Sequence, residues 1–159
     1  MVGQGARGNT TYILRALLAA GVQHTLVGVF TDSALVRAAF AAGKGGTFTA
    51  ELNSRESNEF SEPLSVPGAR VLQLSQEGCF VASMEHGGVV AGQTVKLGPS
   101  CLLQLGGIQL LAISHRQQIL STDYFSALFG VEPSNAACIV VKSRGHFRAG
   151  FQHLWVLQR

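Results

Sequence analysis

Between Thr10 and Ala20 the apolar residues Ile13, Leu14, Leu17 and Leu18 recur at spacings of three and four. That spacing places them on one face of a helix. Asn9 or Thr10 can cap its start, and Gly21 stands where a left-handed residue would close it. Val22 to Phe30, with His24 inside it, then reads as a strand. Asp32 can cap a second helix whose buried stripe is Leu35, Val36, Ala39 and Phe40, ending at Gly43. From Thr47 to Leu52 the residues Phe48, Ala50 and Leu52 alternate with Thr47, Thr49 and Glu51, which predicts a half-buried strand. The connection between these two strands is long enough for a right-handed crossover, an α/β signature.

Asn53 to Pro67 is rich in Ser, Glu and Asn and lacks periodicity, so an exposed loop is expected. Beyond it the pattern favours strands: Arg70 to Leu74, Gly78 to Met84, Thr94 to Leu97, Cys101 to Leu105 and Ile108 to Ser114. Their tight spacing predicts antiparallel hairpins, with Gly106-Gly107 as a two-residue turn. Asp123 to Phe129 reads as a helix capped by Ser121 or Thr122 and ended by Gly130. Ala137 to Val141 is continuously apolar, as in a central strand covered on both faces. A last helix is expected within Gly145 to His153, with Ser143 as its cap. The fold class is α/β, a mixed sheet with helices packed on it and an antiparallel, β-rich second half.

A length of 159 residues suits one domain, and no internal repeat is present. Charged residues are only 13% of the chain, against about 25% in a typical soluble domain. Either part of the surface is covered, by another domain or by a second subunit of a homo-oligomer, or the 19 glycines leave few side chains to charge. The net charge of +3 is spread along the chain, which argues against a nucleic-acid partner. No apolar run is long enough to span a membrane. Cys79, Cys101 and Cys138 are odd in number and set in apolar stretches. They read as buried free thiols, consistent with a reducing, cytoplasmic location.

Two segments carry candidate chemistry. At the end of the last strand, Lys142, Ser143, Arg144 and His146 follow an apolar run. In open α/β sheets ligands bind beyond the carboxyl ends of strands, so these residues form a candidate substrate-binding edge; the alternative is a set of solvated charges. At the amino end, Gly3, Gly5, Gly8, Asn9 and Thr10 lead into the first helix. They are either a candidate anion-binding loop or a flexible turn. The loop lacks a P-loop ending. The five histidines show no helical zinc spacing, no Cys-x-x-Cys occurs, and no Gly-x-Ser-x-Gly elbow surrounds Ser143. No metal site is therefore assigned to this chain.

Several blocks taken together resemble a known family. They are the opening Gly3-x-Gly5-Ala6-x-Gly8-Asn9-Thr10-Thr11 with Leu14-Arg15-Ala16-Leu17-Leu18, then Gly87-Gly88, Leu97-Gly98-Pro99-Ser100, Leu105-Gly106-Gly107-Ile108, Ser114-His115-Arg116-Gln117-Gln118 and Val141 to Arg148. In this order they are similar to the C-terminal domain of MlrC-type (microcystinase C-like) zinc metallopeptidases, over roughly Gly3 to Trp155. The resemblance implies an α/β domain of a longer protein that hydrolyses peptides or related amides. It places the zinc in an N-terminal metallopeptidase domain absent from this chain, supplied in cis or in trans. It further implies that Arg116, Lys142, Ser143, Arg144 and His146 contribute to the substrate cleft and that the chain alone is inactive. The family's glycine loop tends to have an Asp-Asn pair just before the position of Val2, and Pro then Gly-Asp where Arg7-Gly8-Asn9 stand. The more cationic loop favours an anionic group, and the start at Met1 suggests a fragment or a separate gene product. The alternatives are a stand-alone small-anion-binding module or a structural subunit.

Overall fold

A computed structural model describes residues 8–55, 61–143 and 145–155. Its centre is a six-stranded mixed sheet built from β1 (Thr25–Thr31), β2 (Thr47–Leu52), β3 (Leu64–Ser75), β6 (Ser100–Leu105), β7 (Ile108–Ile113) and β8 (Cys138–Val141). The spatial order is β2, β3, β6, β7, β1, β8. A separate hairpin pairs β4 (Cys79–Val81) with β5 (Thr94–Lys96). The helices are α1 (Tyr12–Ala19), α2 (Ser33–Ala42), α3 (Asp123–Phe129) and the short α4 (Phe147–Phe151).

Alternating side chains of the central strands feed two separate cores. Cys101, Leu103 and Leu105 of β6, with Ile108, Leu110 and Ala112 of β7, face Leu14 of α1 and Leu35, Val36 and Ala39 of α2. Leu102, Leu111 and Ile113 point the other way, into a core with Tyr124, Phe125 and Phe129 of α3, Phe80 and Val95 of the small hairpin, and Phe151 of α4. Covering both faces is why β6 and β7 read as unbroken apolar runs.

Local chemistry explains the ends of the elements. Asp32 caps α2, its Oδ1 accepting from the amides of Ala34 and Leu35 at 3.0 Å each. Gly130, at φ 66°, closes α3 as expected. The Gly106-Gly107 turn joins β6 to β7 with Leu105 opposite Ile108. Asn9 and Thr10 do not cap α1. The cap position is Thr11, whose amide and hydroxyl are bonded to Ser61 and Glu62 instead. Neither does Thr122 cap α3 through its side chain.

Further expectations are corrected. First, β1 and β2 form no crossover pair: β1 runs parallel to β7 and β8, while β2 lies at the far edge and runs antiparallel to β3. Helix α2 carries the chain across the sheet to that edge rather than back to a neighbouring strand. Second, the segment from Leu64 to Pro67 is not loop but the first part of β3. Thr49 of β2 faces two residues, Pro67 and Gly68 (φ 71°), so the pair forms a bulge where no β6 partner needs a proline N–H. Beyond this bulge the hairpin brings Leu52 and Leu64 into the same core as Leu14 and Leu35.

Third, β8 is not a central strand. Among the described residues it pairs only with β1, at the sheet edge, with Cys138 exposed and Ile139 to Val141 half-buried. An apolar run reports hydrophobicity without saying whether both faces are covered. Fourth, only Cys101 is a buried thiol; Cys79 and Cys138 sit at the starts of short edge strands and are exposed. His24 lies just before β1 at φ 50°, not within the strand. The last helix divides into α4 and a 3-10 turn, Gln152–Trp155. Its cap position is His146, so Ser143 does not cap it.

Candidate functional site

The three parallel strands β7, β1 and β8 all end on one edge of the sheet, at Ile113, Thr31 and Val141. Three chain segments leaving that edge, and the approach to α1, meet there. Ladder geometry alone sets this convergence, because parallel neighbours deliver their carboxyl ends to the same side.

Lys142 leaves β8 and donates to the Thr10 hydroxyl across 132 residues of sequence. Ser143 follows it and accepts from Gln118 Nε2. Gln118 is held in turn through its carbonyl, which accepts from the Tyr124 hydroxyl at 2.9 Å. Arg116, on the segment after β7, lies near enough to Lys142 for the two charges to interact. Partial burial lowers the Lys142 pKa below its usual 10.5, and the neighbouring guanidinium lowers it further. Two cations within electrostatic reach of each other, beside hydroxyl and amide groups, form an edge suited to a carboxylate or a polarised carbonyl oxygen.

The described part of the glycine loop is a packed strap. The Gly8 carbonyl accepts from Thr31 N at 2.9 Å, which lays the strap along the end of β1. A Cβ on Gly8 would fall 2.7 Å from Thr31 Oγ1, so only glycine permits that approach. Asn9 is buried and donates to Asn53 Oδ1 at 2.8 Å. Asn53, at φ 56°, donates its side-chain amide to the Ser61 carbonyl at 2.9 Å and its backbone N–H to Asp32 Oδ2 at 2.8 Å. Ser61 Oγ accepts from the Thr11 amide at 2.7 Å, so that helix-start N–H is already bonded within the protein. The strap thus places Thr10 in front of Lys142 and fixes it from behind by a buried polar network.

The candidates from sequence therefore separate. Lys142, Ser143, Arg116 and Thr10 come together, with Gly8 and Asn9 supporting Thr10. His146 is exposed at the start of α4 and makes no hydrogen bond to a described residue of the group. Arg144, Gly3 and Gly5 lie outside the described residues. Sequence reasoning missed Gln118 as a partner of Ser143, the second bond of Asp32, and the roles of Asn53 and Ser61. Asn53 alone left a trace, since asparagine directly after an alternating strand is a residue that tolerates positive φ.

No group of three or more His, Cys, Asp or Glu side chains that could hold a metal ion exists among the described residues. His86 and His153 do stack, with ring centroids 4.0 Å apart, but they stand as a pair. No helix among the described residues is long and apolar enough to cross a membrane.

Known proteins resemble this chain in sequence and in fold. Microcystinase C from a Sphingomonas species is 28% identical over 149 residues, covering 94% of this chain and 27% of that protein. The crystal structure of a candidate metallopeptidase from Mesorhizobium sp. BNC1 superposes with a TM-score of 0.76 at 18% identity, covering 94% of this chain and 29% of that one. The chain thus spans little more than a quarter of the length of either. The profile of the family described as MlrC C-terminus matches residues 1–155, and the chain belongs to that family.

Proposed function

We propose that this chain forms the substrate-binding side of an MlrC-like metallopeptidase whose zinc and hydrolytic chemistry reside in an N-terminal domain. The observation that carries this reading is the meeting of Lys142, Thr10, Arg116 and the Gln118–Ser143 pair at the carboxyl ends of three parallel strands. Such an edge binds and orients an oxygen-bearing group of a peptide or amide substrate. Lys142 and Arg116 supply positive charge, while Ser143 and Thr10 supply hydroxyl groups that fix direction. Nothing in the group requires a metal of its own, in keeping with a role in positioning. Microcystinase C, which this chain matches over about a quarter of its length, supports a longer partner region.

A chimera tests this directly. Replacing the matched quarter of the Sphingomonas enzyme with this chain should preserve that enzyme's activity. Lys142→Ala in the chimera should raise KM about tenfold or more with a smaller change in kcat, the signature of lost substrate binding. The isolated chain in stoichiometric zinc should be inactive; peptide turnover by it alone would refute the division of labour. An unchanged KM for Lys142→Ala would remove Lys142 from the binding edge.

A further inference from the structure

The opposite edge of the sheet holds a cavity that the reading above leaves unused. It has a volume of about 350 Å³ and sits at the amino ends of β1 and β7, between the Gly106-Gly107 turn and the 3-10 turn Pro133–Asn135. Its walls are fixed by backbone bonds. Ala137 N donates to the His24 carbonyl at 2.8 Å, and Thr25 N donates to the Gly107 carbonyl at 3.2 Å. His24 adopts φ 50° at the rim, turning the chain into β1. The volume falls within the range of sites for small organic ligands.

Its polar side chains are the amides of Gln23, Gln104, Gln109 and Asn135, with His24, Thr25 and the carboxylate of Glu132. Gln104 donates through Nε2 to the carbonyls of Gly106 at 2.6 Å and Ile108 at 3.3 Å. Gln23 likewise donates through Nε2, to the Gly21 carbonyl at 3.0 Å. Gln109 Oε1 is buried with no hydrogen-bond partner among the described residues. Glu132 adds a carboxylate, oriented by Ser134, whose amide and hydroxyl both donate to Oε1. Among the described residues, no lysine or arginine lines the cavity.

We infer that this cavity is a binding site for a small organic cation that presents several N–H donors, of the guanidinium class. A planar guanidinium carries five donors suited to a lining of amides and a carboxylate, and its charge is matched by Glu132. An anion would meet the Glu132 carboxylate with repulsion. The leucine, valine and alanine surfaces of Leu26, Val131 and Ala136 suit the methylene stem of such a ligand. This site lies at the other end of the parallel strands from Lys142 and does not depend on the proposed peptidase role.

The test uses the chain as it stands, with agmatine, acetyl-arginine-amide and butyrate as probes, followed by amide chemical shifts and calorimetry. Saturable binding of agmatine or acetyl-arginine-amide, with shifts centred on Thr25, Gln109 and Glu132 and none at Lys142, is the expected result. Tighter binding of one over the other identifies a free amine or a peptide-borne arginine as the source of the guanidinium. Glu132→Gln and Gln109→Leu, each with an unchanged melting temperature or a higher one, should weaken binding by about fivefold or more. If either variant is less stable, the shift pattern of the wild-type protein decides alone. No saturation by either cation at millimolar concentration, equal binding of butyrate, or shifts clustered at Lys142 would overturn the inference.

Discussion

The environments of single residues already separate groups that the sequence presents as equivalents. Cys79, Cys101 and Cys138 all stand in apolar stretches, but only Cys101 is enclosed, in β6 beneath α2. Burial pushes its thiol up to about 12, with the Asp32 carboxylate adding to the effect. Thiolate is the reactive form, so at pH 8 a disulfide reagent should modify two thiols at once and the third only on unfolding. Counting fast and slow equivalents against time checks this; three fast equivalents would place Cys101 in solvent. Lys142 makes the complementary case. Its folded pKa lies below the 10.5 of the unfolded chain, through partial burial and then Arg116. The unfolded state therefore holds more protons between those two values, and stability from this residue rises with pH across that window. Below the folded pKa both states are protonated and the penalty of the buried charge is constant. Relative to Lys142→Met, which has no such group, the wild-type protein should gain stability as pH climbs toward 10.5. Parallel urea titrations at several pH values would show it, and a gap independent of pH would contradict the buried charge.

Elements depend on contacts that neighbouring residues impose. Gly28 in β1 passes directly under α3, where a Cβ would stand 2.7 Å from Phe125 Cζ and 3.2 Å from Ile119 Cδ1. Phe125 is wholly buried and has no space into which to retreat. Gly28→Ala should therefore cost about 1–3 kcal/mol by overpacking. Adding Phe125→Leu should return part of that, and a cycle of thermal melts would measure the coupling. Helices α1, α2 and α3 and the β6–β7 hairpin were legible in the sequence because each combines a clear period with its own stop signal, such as Gly130 or Gly106-Gly107. The place of β8 was not, because an apolar run looks alike at a centre and at an edge. The first turns of β3 were hidden by Pro67 and Gly68, which advertise a loop but form a bulge. At the candidate site, Lys142 and Ser143 were legible as the polar end of an apolar strand. Their partners Thr10 and Gln118 lie 132 and 25 residues away. Only the strand order brings them together, and strand order has no local signature.

The whole molecule is one sheet serving two cores, and this makes the cores interdependent. Leu103 faces the α1 and α2 side while Leu102, its neighbour in β6, faces α3. Neither core can dissolve without releasing the strands that form the wall of the other. The functional edge inherits the same dependence, because Thr10 is placed from the first side and Gln118, through Tyr124, from the second. Truncating Leu103 to alanine should cost about 2–5 kcal/mol, the ordinary range for a buried leucine. The loss should appear equally on both sides of the sheet. Followed in urea, exposure of the Cys101 thiol reports the first core, and a fluorine label on Tyr124 reports the second. Both transitions should shift to lower urea together and remain coincident, as two-state unfolding requires. If the thiol became exposed first in Leu103→Ala while the Tyr124 signal held, the cores would be separate cooperative units. The edge at Lys142 would then rest on two independently stable halves rather than on a single sheet.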